Sequence, residues 1–378
     1  MALEEGGRTD AGLGRWALTP AALRLWLAER GFPAYRATQI LSWVYRRRAP
    51  SFAAMNNLPQ GLRDALAAGF ALPALTPTVV AHSNDDTRKL LFQLDEGAAI
   101  EAVLIPDPPR LTLCISSQAG CGMACAFCAT ARLGLLRNLS ATEIVGQVLA
   151  AQAQLRPNER ISNIVFMGMG EPLANYDAVV QAIEILGAEW GVGLSARRIT
   201  VSTVGLVPAM QRLVGDTNVN LAVSLSATTD AQRDPLMPVN RRYPLATLMA
   251  MCRSLPIPQR RRITFEYVML AGVNDSPEDA TRLARLLRGI RSKVNLIPFN
   301  TFPDAGFACS SEATVQRFQE RVLAAGLNAT IRRSRGRDIQ AACGQLALSG
   351  AAEVPRRRSR GAPKPVQESS TRTQEPVA

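Results

Sequence analysis

Histidine is almost missing from this chain: His82 is the only one in 378 residues. Histidine-built metal sites are therefore poorly supplied, and cysteine is left as the main soft ligand. No run of about eighteen apolar residues occurs, so a membrane-spanning helix is not expected. The first sixteen residues, MALEEGGRTDAGLGRW, lack an apolar core followed by a small-residue cleavage site, so no secretory signal is expected either. Cysteines number only seven, an odd and clustered set that does not form a disulfide framework. Metal binding or catalysis in a reducing cytosol fits them better, which implies a cytoplasmic protein with no membrane partner. Acidic residues are outnumbered, 31 against 43 Lys and Arg, for a net charge of +12. Residues 346–378 account for three of those charges, with six Lys/Arg against three Asp/Glu. The rest lies on the folded part and favours polyanionic partners, nucleic acid first.

Four segments are legible. Residues 1–80 read as a helical accessory domain, with helix periodicity across 19–70 and a Pro/Thr-rich connector after Pro73. Residues 81–110 read as a β-hairpin, its strands Lys89–Leu94 and Ala98–Ile105 flanking Asp95-Glu96-Gly97. Residues 111–346 alternate apolar strands with amphipathic helices. The expected strands are Leu111–Ser117, Asn163–Met167, Ile199–Thr203, Leu221–Leu225, Ile263–Val268, Val294–Pro298 and Ala329–Arg332. One helix opens on Ser140-Ala-Thr-Glu143, a capping box. Such units predict an α/β fold with a parallel sheet and right-handed crossovers, as a full or partial (β/α) barrel or an open doubly wound sheet. Residues 347–378 are polar, Pro-rich and basic and read as a disordered tail.

Within the barrel segment, Cys121, Cys125 and Cys128 follow the first strand in the spacing C-x3-C-x2-C. Strand-to-helix loops build the active rim of such folds. A closed zinc site wants four protein ligands, and no second C-x2-C knuckle completes this one. A [4Fe–4S] cluster normally takes four cysteines. Three leave one iron open to a substrate or cosubstrate. A zinc loop completed by a ligand from elsewhere is the alternative.

The spacing resembles the signature of the radical S-adenosylmethionine (SAM) superfamily, and the resemblance implies a partial barrel whose open iron chelates SAM. Gly168-Met169-Gly170-Glu171-Pro172 is similar to the superfamily's segment for the SAM amino group, which points to Gly170 and Glu171. Ser202, Ser224-Leu225-Ser226 and Asn300 close later strands at the same rim and complete the expected SAM pocket. More closely, the chain from about Arg36 to Leu346 resembles the RlmN-type ribosomal RNA (adenine-C2)-methyltransferases, which also act on transfer RNA. The likeness rests on YRATQILSWVY, AIEAVLIP, TLCISSQAGCGMACAFCATARLGLLRNL, NIVFMGMGEPLANYD, QRDPLMPVNRRYP, ITFEYVMLAGVNDS and GRDIQAACGQL.

That resemblance implies particular roles. Cys343 aligns with the cysteine that carries a methyl group, and Cys114 with the one that resolves the protein–RNA adduct through a transient disulfide with Cys343. Glu101 aligns with a proton acceptor at the base. Two SAM molecules are consumed per turnover, and a flavodoxin or ferredoxin supplies electrons to a monomeric enzyme. One departure is visible, since family members often read Ser-Leu-His where this chain has Ser224-Leu225-Ser226. Arg46, Arg47, Arg48 and Arg332, Arg333, Arg335, Arg337 are candidate phosphate contacts with 23S ribosomal RNA and transfer RNA. Cys252 and Cys309 match no role. The rival readings are methylation at adenine C8, as in Cfr-type relatives, and a non-catalytic metal-stabilised RNA-binding protein.

Overall fold

The computed structural model describes residues 20–73 and 75–348. The tail expected to be disordered lies outside them from residue 349 onward, as do the first nineteen residues. Twelve strands run β1 (Val79–His82), β2 (Arg88–Gln93), β3 (Ala99–Asp107), β4 (Arg110–Cys114), β5 (Gln118–Gly120), β6 (Leu135–Asn138), β7 (Asn163–Phe166), β8 (Ile199–Thr203), β9 (Asn220–Ser224), β10 (Ile263–Met269), β11 (Ser292–Pro298) and β12 (Ala329–Ile331). Eleven helices accompany them: α1 (Pro20–Glu29), α2 (Arg36–Tyr45), α3 (Gln60–Gly69), α4 (Ala129–Arg132), α5 (Ala141–Ala153), α6 (Tyr176–Gly187), α7 (Val207–Asp216), α8 (Asp230–Leu236), α9 (Leu245–Ser254), α10 (Pro277–Leu286) and α11 (Glu312–Ala324).

Ten strands form one sheet in the order β1-β2-β3-β4-β7-β8-β9-β10-β11-β12. From β4 to β12 every neighbour is parallel. These strands are buried runs rich in Val, Ile and Leu, as a sheet covered by helices requires. Ile164, Val201, Val223, Phe265 and Val294 are fully or almost fully buried. The barrel is partial. The outer edge of β4 pairs antiparallel with β3, which continues the sheet into the hairpin.

Strand ends moved by a few residues from their expected positions, and two elements had no sequence forecast. Val79–His82 falls at the end of the expected connector, yet it pairs antiparallel with β2 as an edge strand. The β5–β6 ribbon, only three and four residues long, brackets the cysteine loop. Both are too short for a period to show. The capping box at α5 formed as expected: Ser140 Oγ accepts from Glu143 N at 3.2 Å, and Ser140 N donates to Glu143 Oε2 at 2.8 Å.

The open side of the barrel is crossed by the chain after β12. In that segment Gly336 N donates to Asp85 Oδ2 at 2.9 Å, and Asp338 accepts from Ser83 Oγ at 2.6 Å. Leu348 N donates to Glu101 Oε2 at 3.1 Å. Residues 332–348 therefore bridge β12 to the β1–β3 strands, and this crossing carries Cys343 over the barrel's mouth.

Candidate active site

Cys121, Cys125 and Cys128 line one cavity of ≈160 Å³ at the C-terminal rim of the sheet. The loop that carries them needs unusual backbone. Gly120 has φ +77°, and a Cβ there would lie 1.9 Å from Gly134 O. Ala124 adopts φ +53°, a left-handed conformation uncommon for a residue with a Cβ. Ala126 N donates to Leu236 O at 3.0 Å and Ala129 N to Gly344 O at 2.7 Å, so the loop is fastened to α8 and to the Cys343 segment.

Burial pushes the Cys121 thiol up to about 11 and raises Cys125 and Cys128 as well, with the neighbouring thiols adding to the effect. Such thiols ionise readily only when a metal replaces the proton. Among the described residues, no group of three His, Cys, Asp or Glu side chains converges closely enough to hold a single metal ion. Three soft thiols lining one cavity fit an iron–sulfur cluster, whose irons take cysteine thiolates.

The expected SAM residues divide. Gly170, Glu171, Ser202, Ser224 and Asn300 all line the cavity. Gly170 has φ +97°, and a Cβ would sit 2.5 Å from the Gln118 side chain, so only glycine fits. Glu171 is buried; it accepts from Leu173 N at 3.0 Å and Val204 N at 2.9 Å. Burial lifts its carboxyl to about 7, against the pull of those bonds. Leu225 and Ser226 do not line the cavity. Ser226 turns the chain at φ +49°, and its Oγ accepts from Val268 N at 3.2 Å while its carbonyl accepts from Asn274 Nδ2 at 2.7 Å. It ties β9 to β10.

Cys343 lines the same cavity and also a smaller one of ≈40 Å³ whose wall includes Cys114. Asn300 Nδ2 donates to Cys343 O at 3.0 Å, and Gln345 Nε2 to Thr301 O at 2.8 Å, which fixes the segment on the end of β11. Burial, then the adjacent Cys343, pushes the Cys114 thiol up to about 12, with Arg332 opposing. Arg332, expected as a phosphate contact, lines both cavities, within electrostatic reach of the two cysteines. Its place follows from the crossing segment, which turns inward directly after β12.

Glu101 is fully buried and lines neither cavity. It pairs with Lys89 at 2.9 Å, a lysine itself only 5% exposed. Lys89→Met strands that carboxylate in the core and is expected to cost about 3–5 kcal/mol in urea unfolding. Lys89→Met/Glu101→Met should recover most of the loss. Two further buried groups were missed in sequence. Glu266 lines the cavity from β10; its Oε1 accepts from Asn295 Nδ2 at 2.9 Å, while Oε2 has no hydrogen-bond partner among the described residues. An acid inside the apolar strand ITFEYVM was the available signal. Arg233, wholly buried, donates to Val204 O, Ser224 O, Leu225 O and Asn240 Oδ1 and so pins the ends of β8 and β9. Nothing in QRDPL separates it from a surface arginine.

A parallel partial barrel with three cysteines on the first rim loop, beside a glycine-framed pocket, defines a radical SAM protein. The radical SAM superfamily matches residues 115–284, and the ribosomal RNA large subunit methyltransferase N-terminal domain matches residues 16–71. The chain is 50% identical over 345 residues to the dual-specificity RNA methyltransferase RlmN of Anaeromyxobacter dehalogenans, covering 89% of this chain and 92% of that one. It is 52% identical over 324 residues to the RlmN of Geobacter sulfurreducens, covering 86% and 89%. The crystal structure of a radical SAM methyltransferase from Sphaerobacter thermophilus superposes with a TM-score of 0.83 at 48% identity, covering 88% of this chain and 99% of that one. The chain belongs to the RlmN family of dual-specificity RNA methyltransferases.

Proposed function

We propose that the protein methylates carbon 2 of an adenine in 23S ribosomal RNA and in transfer RNA, acting in the cytoplasm as a monomer. The observation that carries this reading is the meeting of Cys114 and Cys343 around one small cavity that adjoins the cysteine-lined one. Carbon 2 of adenine is an electron-poor CH and no nucleophile, so direct polar methyl transfer to it fails. A carrier thiol and a resolving thiol answer that difficulty, and a radical enzyme without that problem has no use for them.

Cys121, Cys125 and Cys128 would hold a [4Fe–4S] cluster, with Gly170, Glu171, Ser202, Ser224 and Asn300 around SAM. When bound, these groups supply a 5′-deoxyadenosyl radical, with the electron drawn from a flavodoxin or ferredoxin. Cys343 takes a methyl group on Sγ, and two SAM molecules are used per turnover. Loss of a hydrogen atom from that S-methyl leaves a carbon radical that adds to C2. Glu101, held outside both cavities by Lys89 and the Leu348 amide, is the acceptor of the C2 proton that the family resemblance implies. Cys114 then attacks Cys343 Sγ and breaks its bond to the bridging methylene, which takes a proton to become the methyl group. The one electron left over would return to the cluster held by Cys121, Cys125 and Cys128, and the Cys114–Cys343 disulfide is reduced by cellular thiols. The base must leave its stack to reach so enclosed a site.

Nucleoside mass spectrometry of RNA from a deletion strain tests the reading. Loss of 2-methyladenosine from both RNAs is expected. Loss of 8-methyladenosine, with 2-methyladenosine intact, would overturn it in favour of C8.

A further inference from the structure

The end of the sheet opposite the catalytic rim is formed in part by the turns that lead into β10 and β11. These strands are parallel neighbours from Ile263 opposite Ser292 onward. Their entry turns are also tied to each other, since Arg253 donates to Leu286 O at 2.9 Å and Arg291 to Ile257 O. Residues 253–262 (RSLPIPQRRR) and 285–293 (RLLRGIRSK) together hold eight Lys and Arg and no Asp or Glu.

Arg253, Arg261 and Arg291 are spent on backbone carbonyls. Arg260, Arg262, Arg285, Arg288 and Lys293 are exposed, and none of them enters an ion pair among the described residues. Arg285 and Arg288, with Arg321, line a groove of ≈350 Å³ between α10 and α11. The negative end of the α10 dipole accounts for cations at 285 and 288. It does not account for Arg260, Arg262 and Lys293 on the neighbouring turn and strand. Folded surfaces ordinarily mix charges of both signs, and an unmixed patch concentrates a positive field.

We propose that this face is a second contact surface for the RNA substrate, holding its phosphate backbone without reading sequence. The proposal rests on the RNA methyltransferase reading above and adds where the RNA is gripped. Strands of seven residues set this face roughly 23 Å from the rim. A folded RNA wrapped past the helices spans that distance, so the patch selects for structured substrates over isolated loops.

The test uses the iron-loaded full-length protein carrying Arg260→Gln/Arg262→Gln/Arg288→Gln. Binding to a full-length transfer RNA transcript is measured across a salt series. The dissociation constant is expected to rise roughly tenfold or more, and the slope of log K against log salt to become shallower by about 2 to 3. Cleavage of SAM to 5′-deoxyadenosine without RNA should stay at the parental rate. Unchanged affinity and slope would overturn the proposal. A parent protein that binds no RNA would instead sink the RNA reading itself. If the triple variant does not fold, Arg260→Gln alone should show the same sign with about one unit of slope, and its absence counts equally against the patch.

Discussion

Cys343→Ala yields a folded, iron-loaded protein that forms no methylated adenine. The cluster survives because Cys343 is not among the three thiols of the loop, and its structural bond uses the carbonyl that accepts from Asn300 Nδ2. Alanine keeps that carbonyl. Removing one partly exposed sulfur costs roughly 1 kcal/mol, too little to unfold a domain with this core. Turnover is lost because no other thiol reaches the cysteine-lined cavity from the crossing segment. Iron and sulfide content, uncoupled 5′-deoxyadenosine formation and methylated nucleoside are measured on one preparation. Parental nucleoside yield would refute the carrier role. Loss of iron together with activity would make Cys343 a structural residue.

Cys114→Ala stops the reaction one step later. The S-methyl group still appears on Cys343, and RNA remains covalently attached to the protein, visible as a slow band on a denaturing gel that nuclease collapses. The adduct persists because the only described thiol sharing the smaller cavity with Cys343 is gone. Normal turnover by Cys114→Ala would remove it from the mechanism. In the parent protein the same cysteine predicts a pH dependence. A thiol raised to about 12 by burial is almost wholly protonated at neutral pH. Its thiolate fraction grows about tenfold per pH unit up to that value. Adduct resolution followed in single turnover should therefore quicken with rising pH, and a flat profile would show that resolution does not depend on the free thiolate.

The two cysteines also mark where legibility changed. Strand after strand in 111–346 was readable because each is a short apolar run bounded by turn residues, and a parallel sheet makes both faces of a strand apolar. The Ser140 capping box was readable because its residues are three apart. Glu101 was not readable in the same way. In AIEAV it alternates with apolar neighbours as a solvated strand residue would, and only the pairing of β2 with β3 puts Lys89 beside it in the core. Arg332 looked like one more member of a basic run, yet the turn after β12 sends it inward. Ser226 looked like a pocket residue, yet a left-handed turn gives its hydroxyl to Val268.

By itself, then, the sequence determined the parallel α/β architecture, the position of the three-thiol loop on its rim and the supply of extra cysteines. These are properties of short windows, where spacing and period act directly on local geometry. Only the tertiary structure decided that Cys114 and Cys343 share a cavity, that Arg332 lines it with them, and that two basic turns combine into one charged face. The two cysteines stand 229 positions apart in sequence. They and Arg332 meet because the chain after β12 crosses the open barrel, held by Asp85, Glu101 and Asn300, whereas the basic turns meet because β10 and β11 are parallel neighbours.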